Sequence, residues 1–219
     1  MARAPLAAED LPTEFAVFPL SGALLLPRGR LPLNIFEPRY LAMVEDSLAR
    51  GRMFGMIQPN DHAPRAENGP SLYRIGCLGR LSHFSETEDG RFLITLTGLS
   101  RFVVTREISM QRGYRRVEAD YTPFAQDLQI TPDIEPETRV EILAALRSYF
   151  DMKGIDANWE AVHAMPDSLL VVTLAMLCPF DPAEKQALLE APTEHDRAGD
   201  LLALLRMAVH EADGAARPS

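Results

Sequence analysis

The sequence predicts an α+β chain in two parts, a β-rich subdomain containing one helix followed by an α-helical bundle. Two observations carry this reading. The apolar period changes near residue 125, from short runs rich in Phe, Ile, Val and Thr bounded by Pro, Gly or charge to stripes of helical spacing. The charge changes at the same place: residues 1–124 hold 15 basic and 14 acidic side chains, residues 125–219 hold 7 and 17.

The elements follow in order. "EFAVFPL" (14–20) reads as the first strand, and "LPLNIFEPRY" (31–40) as strand, joint and helix. At that joint Pro38 stands where a first helical turn needs no N–H donor. Glu37 complements the positive end of the helix dipole and, preceding a proline, favours extended backbone. Tyr40, Leu41, Val44 and Leu48 place one apolar stripe on the helix that follows. "MFGMIQP" (53–59) is a strand, and "PNDHAPRAENGPS" (59–71) is a surface loop by composition. "HFSETEDGRFLITL" (83–96) is a hairpin turning at Asp89-Gly90. "RFVVTREISM" (101–110) and "YRRVEADY" (114–121) are further strands, the last with one wet face.

"TPFAQDLQITPDIEPE" (122–137) has three prolines and little period, and sets the boundary. Beyond it Val140, Leu143, Leu146 and Phe150 share a helix face, and "PDSLLVVTLAMLC" (166–178) is apolar nearly all round, as a central helix is. Asp181 caps a helix with Pro182 at its first position, and Leu201, Leu204, Leu205 and Ala208 mark the last one. The expected organisation is a flexible N-terminus (1–13), the β-rich subdomain (14–124), a linker (125–137), the bundle (138–212) and a flexible tail (213–219).

Composition excludes several classes. The opening "MARAPLAAEDLP" lacks the apolar core of a secretory signal. The longest apolar run, 168–178, is too short to cross a bilayer. Cys77 and Cys178, about a hundred positions apart, do not form a disulfide framework. A cytoplasmic chain without a membrane partner is expected. The net charge of −9 opposes nucleic acid.

Three ordered segments carry a family resemblance. "FPLSGALLLPRGRLPLNIFEPRYLAMVEDSL" (18–48), "ITLTGLSRFVV" (94–104) with Gly98 and Arg101, and "LAMLCPFDPAEKQALLEAPTEHDRAGDLL" (174–202) with Lys185, Gln186, Leu189 and Arg197 resemble the N-terminal substrate-recognition domain of the ATP-dependent protease Lon. They are most similar to its short stand-alone bacterial members, and also to the Lon-like part of cereblon. The resemblance implies a PUA-like β-pseudobarrel followed by a helical bundle. It further implies a role in proteolysis or quality control, with unfolded or partly folded polypeptides, and an ATP-dependent protease, as partners.

No enzyme is expected. There is no G-x-x-x-x-G-K-[ST] phosphate loop, and the only lysines, Lys153 and Lys185, have no serine in a recognisable motif. The histidines at 62, 83, 163, 195 and 210 lie in separate segments without metal-ligand spacing, so neither a metal nor another cofactor is expected. His163 is expected to be partly buried beside Trp159, and both cysteines to be buried and inert. Glu86, Glu88 and Asp89 form a solvated hairpin tip. Arg112, Arg115 and Arg116 around Tyr114 are the one nucleic-acid hint, since arginines beside an aromatic can hold phosphates and stack a base. For polypeptide binding the candidates are Phe54, Met56, Phe84, Met110 and Tyr114, apolar residues near strand ends where flexible methionines suit varied partners. Strand alternation alone leaves open which of these face water.

Overall fold

The computed structural model describes residues 7–129 and 134–215, less the side chains of Ala8 and residues 213–215. Residues 1–6, 130–133 and 216–219, where flexible ends and part of a linker were expected, lie outside the described residues. The chain divides into two compact units, residues 1–130 and 131–219.

The first unit is a closed β structure with one α-helix. Its strands are β1 (Glu14–Pro19), β2 (Arg30–Ile35), β3 (Met53–Ile57), β4 (Ile75–Glu86), β5 (Phe92–Gln111) and β6 (Tyr114–Asp120). They are ordered β2-β5-β4-β3-β1-β6, and β6 pairs back onto β5. Among the described strands only β1 and β3 run parallel, the other pairs being antiparallel. Closure depends on the length of β5, whose residues 92–97 lie between β2 and β4 while residues 103–111 pair with β6.

The strand turns from one ladder to the other at Gly98–Arg101, where the register with β4 shifts. A Cβ on Gly98 would lie 2.0 Å from the Leu26 carbonyl oxygen. The incoming loop is bonded there: the Gly98 N–H donates to Gly29 and the Arg28 N–H donates to Gly98, both at 2.9 Å. Arg101, 1 % exposed, turns under the barrel. Its Nε and Nη2 hold Asp127 at 2.9 and 2.8 Å, and the Phe124 ring lies 4.2 Å from its guanidinium. The first four residues of the expected linker, 125–128, are therefore built into this unit, as the end of the 3-10 segment Thr122–Leu128. Phe15, Val17, Leu78, Phe102, Val117 and Tyr121 fill the core.

β2 is an edge strand. The Gly98-to-Gly29 bond sets the phase of its ladder, so residues 30, 32 and 34 point their backbone groups away from β5. Pro32 falls on that free side, where its missing N–H breaks no ladder bond. After β2, α1 (Pro38–Ala49) begins as expected, with Pro38 in the first turn and Glu37 extended at the cap. It buries Tyr40, Met43, Val44 and Ser47, while Leu41 and Leu48 of the anticipated stripe are half-buried.

The second unit holds α2 (Pro136–Lys153), α3 (Trp159–Ala164), α4 (Asp167–Leu177), α5 (Pro182–Glu190) and α6 (Glu194–Ala215). α2 ends on Gly154 in the left-handed region, and α5 opens with a full capping box between Asp181 and Glu184. Arg139 of α2 pairs with Asp167 and donates to the His163 and Met165 carbonyls at 2.9 Å, tying α2 to the α3–α4 junction. The buried stripe of α2 is Ile142, Leu146 and Tyr149; Val140, expected on that face, is exposed. The central helix α4 also departs from expectation, since Leu169 and Leu177 are exposed. Among the described residues no helix is long and apolar enough to cross a membrane.

Candidate functional site

The tip of the β5–β6 hairpin is where most of the chemistry converges. Arg112 (φ 47°) and Gly113 (φ 87°) make the two-residue turn between Gln111 and Tyr114, whose left-handed backbone matches the twist of the flanking strands. The turn is fastened to α1 by carboxylates. Asp46 accepts from the Tyr114 hydroxyl at 2.8 Å, Gln111 Nε2 at 3.1 Å and Arg112 Nη1 at 3.0 Å; Glu45 accepts from Arg112 Nη2 at 2.8 Å. Burial pulls the Asp46 carboxyl upward, but the bonds from Tyr114 and Arg112 outweigh it and hold the group below its ordinary value. Burial, reinforced by Asp46, pushes the Tyr114 phenol up to about 12.

Two cavities flank Tyr114. One, of about 80 Å³, is bounded by Glu14, Asp46, Arg50 and Arg116 among others. The other, of about 150 Å³, is lined by Pro19, Arg39, Tyr40, Pro59, Asn68, Pro70, Gly113, Tyr114 and Arg115. In the second, Arg39 grips Glu37 through Nε at 2.9 Å and Nη2 at 2.8 Å. Arg115, nearly buried, grips Glu107 and donates to the Pro70 carbonyl at 2.6 Å.

The expected contact residues do not gather. Phe54 and Met56 are 0 % and 2 % exposed, because both faces of β3 are covered. Tyr114 is buried with its hydroxyl on Asp46. Phe84 is half-buried against Phe92, ring centroids 4.9 Å apart, at the far end of β5 from Met110. Only Met110 is open, at 49 %. Residues not anticipated are Phe36 and Leu93, 62 % and 43 % exposed on the outer face where β2 meets β5. The break of alternation at Phe36, an aromatic on the wet side of Ile35, was the available signal.

The arginine cluster is neutralised piece by piece: Arg112 by Glu45 and Asp46, Arg115 by Glu107, Arg116 by Glu14 at 3.6 Å. The cysteines are buried as expected, and burial pushes the Cys178 thiol up to about 12, which leaves no thiolate near neutrality. His163 is exposed rather than partly buried, its ring 6.4 Å from that of Trp159. Among the described residues no group of three His, Cys, Asp or Glu could hold a metal ion.

The family model of the ATP-dependent protease La (LON) substrate-binding domain matches residues 14–207. Lon protease 2 of Sorangium cellulosum is 26 % identical over 181 residues, 80 % of this chain and 22 % of that protein. Lon protease of Anaeromyxobacter dehalogenans is 24 % identical over 131 residues, 59 % of this chain and 15 % of its own length. The chain thus spans less than a quarter of these relatives. Among solved structures, a Lon N-terminal domain protein from Xanthomonas campestris superposes with a TM-score of 0.63 at 24 % identity, covering 88 % of this chain and 98 % of that one. The N-terminal domain of the Mycobacterium avium complex Lon protease gives 0.59 at 16 % identity, over 90 % and 98 %. These likenesses show the fold, a mixed sheet followed by helices.

Proposed function

Because the chain belongs to the ATP-dependent protease La (LON) substrate-binding domain family, we propose that it is a non-enzymatic, cytoplasmic module that binds unfolded or partly folded polypeptides. In this reading it serves protein quality control and presents its clients to an ATP-dependent protease. The observation that carries the proposal is the extent of the match, residues 14–207, which runs through both structural units. The surface supports it. Phe36, Leu93 and Met110 offer exposed apolar side chains on the β unit. RNA is disfavoured because each arginine of the Tyr114 cluster faces a carboxylate.

The test is binding of one fluorescent protein in its native and its permanently unfolded form. The unfolded form is expected to bind in preference, with affinity changing little between low and moderate salt, since apolar burial drives it. Three arginines neutralising phosphates would instead give a log–log salt slope of about −2. Such a slope with RNA, and no preference for the unfolded protein, would replace this reading. Met110→Ser is expected to weaken client binding without shifting the melting curve, because the side chain already sits half in water.

A further inference from the structure

We infer that the 150 Å³ cavity between α1, the 59–72 loop and the β5–β6 turn is a pocket for a prolyl residue of an extended polypeptide. The inference rests on the polypeptide-binding reading and names what one part of that surface selects.

Four features of the pocket point to such a ligand. The first is size. A cavity of about 150 Å³ accepts one small ring, as engineered cavities of that volume accept benzene. The second is charge. Both guanidiniums in the lining are already matched, Arg39 by Glu37 and Arg115 by Glu107, so the pocket suits a neutral group rather than an anion. The third is hydrogen-bond polarity. The polar side chains that line it are two guanidiniums, a phenol, an amide and the Tyr114 ring, whose hydroxyl is taken by Asp46. The carboxylates that could accept from a ligand are consumed by the arginines. Arg115 and the Asn68 amide nitrogen are taken within the protein, so the donors left for a ligand are Arg39 Nη1 and the Tyr40 hydroxyl, which fit a peptide segment that brings carbonyls without N–H groups, as an X-Pro step does.

The fourth feature is Tyr40. Its ring is packed on Phe18 at 4.2 Å and under the Arg39 guanidinium at 4.6 Å, and the residue is only 6 % exposed. Among the described residues no protein group hydrogen-bonds its hydroxyl, and both Tyr40 and Arg39, whose Nη1 is not taken by Glu37, line the cavity. The phenol of a tyrosine with a packed ring is a polar handle free to take a ligand's carbonyl. The carbonyl preceding a bound proline is such a partner. The remaining walls, Pro19, Pro59 and Pro70 with the two tyrosines, are flat and rigid, the surface that extended prolyl chains pack against in aromatic-lined grooves.

The experiment measures fluorescence anisotropy of labelled neutral peptides, alike except for a central Pro-Pro, Ala-Ala or Phe-Ala, against the full chain. An unfolded reporter protein is run beside them. The Pro-Pro peptide is expected to bind about fivefold or more tightly than Ala-Ala, and Tyr40→Phe to remove most of that advantage, as loss of one net hydrogen bond does. Asn68→Trp, which puts an indole at the cavity wall, is expected to abolish the advantage of Pro-Pro over Ala-Ala. Equal binding of Pro-Pro and Ala-Ala, a preference for Phe-Ala, or a Pro-Pro advantage that survives both variants overturns the pocket while leaving the polypeptide reading intact. If the unfolded reporter fails to bind as well, it is that reading which has failed. Melting curves of Tyr40→Phe, which keeps the ring and its packing, exclude unfolding as the cause.

Discussion

At the scale of single residues, Gly98 and Arg101 explain why the β unit closes. With the Leu26 oxygen 2.0 Å from where a Cβ would stand, Gly98→Ala must move backbone rather than a side chain. It is expected to cost about 2 kcal/mol or more, read from urea unfolding, because overpacking against fixed atoms typically costs 1–3 kcal/mol. Arg101 and Asp127 form a nearly dry pair, 1 % and 7 % exposed. Asp127→Asn leaves the guanidinium buried without its countercharge, and a loss of about 3 kcal/mol is expected on the same measurement. Asp46 has a pH signature. Its folded pKa lies below the ordinary 3.8, so its contribution is present above that value and fades as pH falls through the folded one. The stability gap between the protein and Asp46→Asn is therefore expected to be open at pH 7 and to narrow below pH ~4 in parallel urea titrations. A stability gap that stayed constant into acid would mean that Asp46 does not titrate differently in the folded state.

At the scale of elements, the free side of β2 carries its own guard. Pro32 points its ring nitrogen outward, so a visiting strand finds no donor at the middle of the edge. Pro32→Val restores that N–H without touching the β2–β5 ladder, and is expected to increase self-association, followed by light scattering at rising concentration. The element scale is also where the sequence was most legible. The Pro38 joint, the Asp181 cap and the hairpin at Asp89-Gly90 were readable because each depends on residues adjacent in sequence. The extent of burial was not. Phe54 and Met56 share one face of β3, with Gly55 and Ile57 on the other, and both faces are covered only in the closed barrel, which needs β6 to pair with β1 about a hundred residues away. The same limit applied to the arginines. Their partners Glu14, Glu45 and Asp46 are about 65 to 100 positions away, and nothing local announces them. The family resemblance was legible because Gly98 and Arg101 are close in sequence and each does a job that few other residues could do.

At the scale of the whole molecule, two compact units each enclose their own buried residues. The β unit does so around Phe15, Phe102 and Val117, the helical unit around Leu146, Leu170, Leu188 and Leu201. Residues 1–130 made alone are expected to melt cooperatively, with a circular dichroism spectrum dominated by strand. A broad, non-cooperative melt would show that the barrel needs the helices to hold its shape.

Closure of the barrel by its last strand has a consequence for the chain as it is being made. β1 meets β3 within about forty residues, but its other neighbour, β6, pairs Glu118 with Glu14 and leaves the ribosome roughly a hundred residues later. At typical elongation rates that interval is about 5–20 s. Throughout it the nascent β1, with Phe15 and Val17, presents an unpaired apolar edge, the same feature that marks the clients proposed for this protein.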